Sequence, residues 1–294
     1  MSNYKFGILA SGRLGFICLN EILKQVFVGF VFTDSKSNNI IDLCNSINLP
    51  VFVGNPRNEK SELFLKQFDV DFILSINYLY LVDESIFDFP KGYAINFHGS
   101  LLPKYRGRTP HVWAIINNEI QTGITAHLIS KNCDEGDIVY QEVIPIGPDT
   151  TGGDILAEFE RRFPICIKSV IESIENGSIK PVAQNNEHAT YYGKRSPKDG
   201  MINWNWQKER IKNWVRAQAK PYPGAFSYVN DKKIIIHKVK FVDIGFADND
   251  VNGEVISVQE GIVVKTQNGA LMLIDYEVEG SFNFEIGDIL YARD

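Results

Sequence analysis

The first 177 residues alternate short β-rich runs with stretches of helical spacing, and this alternation limits the chain to few architectures. KFGILA (5–10), FVGFVF (27–32) and VDFILSI (70–76) are runs of strand length, separated by FICLNEILKQV and by the ELFLKQF segment, whose apolar residues recur at helical intervals. Strands that alternate with helices imply βαβ units and a mostly parallel sheet. After AINFHG, Thr109 as N-cap and Pro110 at the first helical position open a helix that runs to about Asn118. GITAHLI (123–129) and DIVYQEVIPI (137–146) read as two more strands. Thr151 opens a long helix, apolar at Ile155, Leu156, Phe159, Phe163, Cys166, Val170 and Ile174, that ends near Gly177. The expected fold is α/β, a Rossmann-like, mostly parallel sheet.

Residues 178–204 lack periodicity and are rich in Asn, Lys, Pro and Gly, as a linker would be. Beyond them lie the helical stretch ERIKNWVRAQA, the turn PYPGAF, and the β-like runs SYVN, KKIIIHKV, GEVISV, GIVVKTQ and ALMLIDY. Short strands punctuated by Gly and Asn-Asp turns predict a small β-barrel-like unit over 205–294. The predicted division is thus 1–177, 178–204 and 205–294. Apolar runs such as VFVGFVF (26–32) fall far short of the ~20 residues a membrane span needs, and MSNYK leads straight into a strand with no leader pattern. The reading is of a cytoplasmic protein without a membrane partner. The four cysteines are widely spaced and read as free thiols. The formal charge of −6 gives no electrostatic reason to expect a nucleic acid.

AINFHGSLLPKYRGRTP (94–110) carries the chemistry. An amide, Asn96, and an imidazole, His98, end an otherwise apolar strand and share one face of it. In open α/β sheets ligands collect at the carboxyl ends of strands. Asp134, in the turn NCDEGD between two later strands, is placed to enter the same crevice. A histidine with a carboxylate partner serves as a general base near neutral pH, and an asparagine N–H suits a developing oxyanion. No Gly-x-Ser-x-Gly elbow supplies a nucleophile, so the attacking group is expected from the substrate. A lone buried histidine is more often a satisfied core residue, and a cationic loop such as KYRGR more often a solvated one. A metal held by His98, His127, Cys133 and Asp134 is not expected, because no close ligand spacing supports it. In LASGRLG (9–15), Gly12 and Gly15 lack the three-glycine dinucleotide pattern, yet backbone N–H groups there and Arg13 could meet a phosphate, the alternative being a tight turn with an exposed Arg.

Asn96-x-His98-x-Ser100-Leu101-Leu102-Pro103-x-x-Arg106-Gly107, then Thr122-Gly123-Ile124-Thr125 and Asp134-x-Gly136-Asp137-Ile138, resembles the formyltransferases that use N10-formyltetrahydrofolate. Lys194-Arg195-x-Pro197-x-Asp199-Gly200-x-Ile202-x-Trp204, Val215-Arg216-Ala217 and Pro221-Tyr222-Pro223-Gly224-Ala225-Phe226 resemble the C-terminal unit of methionyl-tRNA and sugar N-formyltransferases, an OB-like β domain. The likeness is weakest over 34–70 and after 240. It implies N10-formyltetrahydrofolate as co-substrate and no metal. It implies Asn96, His98 and Asp134 as catalytic residues, with Asn96 on the oxyanion, His98 taking the amine proton or stabilising the oxyanion, and Asp134 orienting His98 or a water. The donor would meet Ile76, Asn77, Leu81, Ser100, Leu101, Arg106, Gly107 and Asp137. The expected substrate contacts are Ser11, Gly12, Arg13, Tyr78 and Tyr80.

The amine stays open between a nucleotide-linked amino sugar and methionyl-tRNA, with a formylfolate hydrolase or folate-binding protein as a third reading. Lys and Arg number 11 against 13 Asp and Glu in residues 201–294 and 19 against 23 in 1–200, so neither part is basic as a tRNA partner would require. The segment DSKSNN is short and nearly uncharged where the resemblance leads one to expect a longer basic loop in tRNA-type relatives. The preferred substrate is a dTDP-4-amino-4,6-dideoxyglucose or a close isomer, for O-antigen and other surface polysaccharide, an expectation drawn from the resemblance alone. A homodimer is compatible with this reading.

Overall fold

The computed structural model describes residues 3–247 and 249–293. By contacts the chain forms two compact units. One comprises 1–110, 122–144 and 157–192; the other comprises 111–121, 145–156 and 193–294. The stretch read as a linker therefore contributes residues through Tyr192 to the first unit and the remainder to the second.

In chain order the elements begin β1 (Lys5–Ala10), α1 (Gly12–Leu23), β2 (Phe27–Thr33), α2 (Asn38–Ser46), β3 (Val51–Val53), α3 (Glu59–Leu65), β4 (Phe72–Ile76), α4 (Glu84–Phe87) and β5 (Ala94–His98). They continue with β6 (Arg106–Gly107), α5 (Pro110–Ile116), β7 (Gln121–Leu128), β8 (Ile138–Pro145), α6 (Gly152–Glu175) and β9 (Tyr191–Tyr192). The large sheet has the order β3-β2-β1-β4-β5-β7-β8. It is parallel from β3 through β5, and β7 runs antiparallel to β5. The chain goes outward from β1 through β2 to β3, then returns to place β4 on the other side of β1, so β1 and β4 flank the point where strand order reverses.

Side chains explain why these segments fold so. Leu9, Phe30, Phe32, Leu65, Val70, Ile73, Ile86 and Ala94 form a buried cluster on one face of the sheet, with Phe52, Phe64 and Phe68 packed against it. Some of its rings meet edge to face, as Phe30 and Phe32 do at 5.6 Å and 76°, and others are tilted, as Phe32 and Phe52 are at 5.0 Å and 32°. Gly7 lets Phe30 lie flat on β1, because a Cβ there would come within 2.3 Å of the ring. The element α2 and the three-residue edge strand β3 fall in the region of weakest likeness, and α2 buries only Ile40 and Cys44.

The second unit carries α7 (Lys208–Ala217) and the antiparallel strands β10 (Ala225–Val229), β11 (Lys232–Val242), β12 (Val255–Ser257), β13 (Val263–Thr266) and β14 (Gly269–Val278), ordered β10-β11-β14-β13-β12. Asn230 and Asp231, both at positive φ (44° and 63°), form the two-residue turn between β10 and β11, a conformation these residue types tolerate. The C-terminal segment bridges to both edges of this sheet, Tyr291 to Tyr228 and Ile289 to Glu254, giving the barrel-like closure expected. The four cysteines are free thiols. Among the described residues no helix is long and apolar enough to cross a membrane.

Candidate active site

The register of three neighbouring strands builds the site. Ala10 pairs with Ile76 and Ile76 with Phe97, so Ser11, Asn77 and His98 stand at the next position along, across the carboxyl ends of β1, β4 and β5. Asn77 takes φ 52° and donates from Nδ2 to the Ser11 carbonyl at 3.0 Å, tying the two loops at the switch point. Antiparallel β7 sets His127 opposite Asn96 and Thr125 opposite His98.

His98 is 8 % exposed. Its Nε2 lies 2.8 Å from the Tyr105 carbonyl oxygen, which can only accept, so Nε2 carries the hydrogen and Nδ1 holds the lone pair. Nδ1 faces Asp134 Oδ2 at 3.7 Å. Asp134 is 9 % exposed and sits at φ 58° in its turn. Burial would raise its pKa; the charge of a protonated His98, the hydrogen bond and charge of a protonated His127, and the Gly107 N–H together outweigh burial and hold the carboxyl well below the usual range. The Gly107 N–H donates to Oδ2 at 2.8 Å. A side chain at Gly107 would meet the Tyr192 carbonyl at 2.3 Å, and one at Gly136 the Leu128 carbonyl at 1.9 Å, so both turns need glycine. Asn96 Nδ2 lies 3.1 Å from His127 Nε2, and His127 Nε2 lies 3.5 Å from Asp134 Oδ1. Amide, two imidazoles and carboxylate thus form one cluster: an N–H donor, a basic nitrogen and an anion, the set needed to move a proton from an amine while holding a charged oxygen.

The loop after His98 is held from within. Ser100 Oγ donates to the Lys104 carbonyl at 2.7 Å, and Thr125 Oγ1 donates to the Ser100 carbonyl at 2.6 Å. Gln141 Nε2 donates to the Leu102 carbonyl at 2.8 Å. Leu101 packs on Gly123, where a Cβ would approach it to 2.4 Å. Arg106, expected at the donor, is 0 % exposed and committed elsewhere. Its Nε and Nη2 donate to Gln184 Oε1, Nη2 also to Asn186 Oδ1, and Nη1 to the Tyr191 hydroxyl at 2.5 Å. Arg106 therefore fastens the loop to the segment 184–191. Gln184 in turn donates to the carbonyls of Asp134 (2.8 Å) and Gly136 (2.7 Å).

Ile76 is fully buried at the end of β4, Leu81 is exposed beyond it, and Asp137 gives its carbonyl to the Leu128 N–H. Around α1, the Gly12 N–H donates to Ser37 Oγ at 2.8 Å, so that amide is already taken. Arg13 is exposed and pairs with Glu160 at 2.7 Å. Tyr78 and Tyr80 meet edge to face at 5.7 Å, and the Tyr78 hydroxyl is buried without a hydrogen-bond partner. Burial, then Tyr80 and Asp34, raise its pKa. Among the described residues no group of three or more His, Cys, Asp and Glu is placed to hold a metal. The sequence reading gave no catalytic or loop-holding role to His127, Thr125, Gln141, Gln184 or Tyr191. Cross-strand register places the first two, and nothing in the local sequence marks the others.

Residues 41–171 match the formyl transferase family and residues 194–291 the formyl transferase C-terminal domain. Over 246 residues, 83 % of this chain and 78 % of the relative, the sequence is 32 % identical to a methionyl-tRNA formyltransferase of Clostridium acetobutylicum. The chain belongs to the formyltransferase family. It is a formyl-transferring enzyme with the formyltransferase fold. Within the family it is 37 % identical over 259 residues, 86 % of its length, to the bifunctional polymyxin resistance protein ArnA of Wigglesworthia glossinidia brevipalpis, and spans 39 % of that longer relative. Among solved structures, it resembles an N-formyltransferase from Helicobacter canadensis in complex with folinic acid and dTDP-3-aminofucose. The TM-score is 0.72 and the identity 21 %, covering 93 % of this chain and all of the other.

Proposed function

We propose that this formyltransferase moves the formyl group of N10-formyltetrahydrofolate onto the primary amine of a nucleotide-linked amino sugar, dTDP-4-amino-4,6-dideoxyglucose or a close isomer, in the synthesis of O-antigen or related surface polysaccharide. The observation that carries the chemistry is the arrangement of Asn96, His98 and Asp134, with His98 Nδ1 facing the Asp134 carboxylate at 3.7 Å. The amine nitrogen attacks the formyl carbon, and the carbonyl π electrons move onto oxygen. Asn96 donates its second amide hydrogen to that oxyanion. His98 Nδ1 takes the proton from the attacking nitrogen, and the imidazolium is stabilised by Asp134. Collapse then breaks the bond to folate N10, which receives the proton from His98. Holding amine and donor in contact supplies several kcal/mol through orientation alone. The donor would lie between the segment 76–81, the loop after His98 and the Asp134 turn.

Charge supports a sugar nucleotide over tRNA: neither part of the chain is basic, and a single pyrophosphate needs few cations. The Helicobacter canadensis protein, of like fold, was solved with a dTDP-amino sugar. Arg13, exposed and held by a surface ion pair with Glu160, can turn to a phosphate at little cost, since solvent screens such exposed pairs. The second reading, methionyl-tRNA formylation, is favoured by the Clostridium acetobutylicum relative. Salt separates the two. Apparent affinity for an amino-sugar nucleotide should fall modestly between about 50 and 200 mM salt, whereas a tRNA making many phosphate contacts would lose about three or more powers of ten. Steeply salt-dependent binding of charged initiator tRNA, with no turnover of amino-sugar nucleotides, would establish the second reading instead.

A further inference from the structure

His127 is 2 % exposed, lies opposite Asn96 on β7, and has no part in the steps above. Its Nδ1 stands 2.8 Å from the Leu128 carbonyl oxygen, an acceptor only, so Nδ1 carries the hydrogen and Nε2 of the neutral ring presents a lone pair. That lone pair meets Asn96 Nδ2 at 3.1 Å. The two flips of an asparagine amide are nearly the same shape, and the hydrogen-bonding neighbours choose between them. A neutral His127 accepts and cannot donate from Nε2, so it accommodates only the flip that turns Nδ2 toward it. Asp134 Oδ1 is 3.5 Å from the same Nε2, so the nitrogen end of the amide and the carboxylate both border that atom. The second N–H is then available where the oxyanion forms; the opposite flip would bring the amide oxygen there and repel it.

We infer that His127 is a positioning residue, which fixes the Asn96 amide in the flip that offers an N–H to the transferring formyl oxygen. The backbone completes the device: the Leu128 carbonyl sets the His127 tautomer, His127 sets the Asn96 flip, and Asn96 meets the charge. His98 carries its hydrogen on the opposite nitrogen, Nε2, for the same kind of reason, the Tyr105 carbonyl. One cluster therefore holds two imidazoles in opposite tautomers, one with a basic Nδ1 for the proton and one with an accepting Nε2 for the amide.

This inference rests on the proposed role of Asn96 at the oxyanion, and a double-mutant cycle separates the two claims. His127→Phe keeps the ring's bulk and removes the acceptor. It should lower kcat about 10- to 100-fold, the scale for partners that orient a working ligand or donor, while KM for donor and amine stays within about twofold. His127→Gln, whose side-chain oxygen can accept from Asn96, should recover most of kcat. In an Asn96→Ala background, His127→Phe should change kcat no further, because the residue it acts through is gone. Equal losses in His127→Phe and His127→Gln, or losses that multiply in the double variant, would make His127 structural and overturn the inference. Wild-type kcat in His127→Phe would overturn it too. Wild-type kcat in Asn96→Ala would instead overturn the oxyanion role beneath it. If His127→Phe does not fold, nitrogen-15 spectra of the histidine-labelled wild-type protein still decide the matter: His127 should carry its hydrogen on Nδ1, and a hydrogen on Nε2 would contradict the inference.

Discussion

Of the two nitrogens of His98, Nε2 is tied to the Tyr105 carbonyl and Nδ1 faces Asp134, so a proton taken from an amine would rest between the ring and a carboxylate. Replacing His98, Asn96 or Asp134 by Ala should each lower turnover by about two or more orders of magnitude, the usual scale for acid–base or oxyanion groups, while the fold is kept. Unfolding of all three would show core residues instead; turnover and circular dichroism on the same samples distinguish the outcomes. Asp134 also leaves a mark on stability. Its folded pKa lies below that of the unfolded chain, about 3.9, so its ionised form stabilises the protein fully above that value and the contribution disappears as pH falls toward the folded pKa. In urea titrations the stability gap between wild type and Asp134→Asn should therefore narrow as pH drops below about 4. A gap that widens there would reverse the assignment. That Asn96, His98 and Asp134 come together was legible in the sequence, because Asn96 and His98 end one strand and Asp134 lies in the turn between two later ones; the roles proposed for them came from the resemblance. The contact of Asn96 with His127 was not legible, because 31 residues separate them and only the pairing of β5 with β7 brings them together.

At the scale of elements, the alternation that opens the sequence specified β1, β2, β4, β5, β7, β8 and the long helix α6; β1, β2, β4 and β7 are largely buried, whereas β8 buries only Ile144. The alternation left out α2 and β3, where burial falls to a few residues and the strand is only three residues long. Residues 184–192 looked featureless because their order comes from side-chain hydrogen bonds rather than from a repeating apolar face. Gln184 joins the Arg106 guanidinium to the carbonyls of Asp134 and Gly136, and β9 pairs with β6 beside it. Gln184→Ala would leave two carbonyls and a buried guanidinium short of partners, costing about 1–3 kcal/mol for an unsatisfied buried group. Turnover should fall at least about tenfold through misplacement of the Asp134 turn, since small displacements of working groups are expensive. Chemical denaturation and steady-state rates check both; a variant with wild-type rate and stability would show that the turn holds itself.

Across the whole molecule, two family matches cover 41–171 and 194–291, and the chain spans 39 % of the ArnA relative against 78 % of the methionyl-tRNA formyltransferase. The barrel-like form of the second unit was legible from its short strands and its Asn-Asp turn. The bridges that the last residues make to both sheet edges were not, since they are set by tertiary closure rather than by local pattern. The most direct measurement supplies N10-formyltetrahydrofolate labelled at the formyl carbon, with a panel of amino-sugar nucleotides, with charged initiator tRNA, and with no amine, and follows the label by mass spectrometry. The label should appear as a single formyl group on the amine of a dTDP-amino sugar and stay on folate when no amine is given. Label released as formate without an amine, or carried only by the tRNA, would contradict the account.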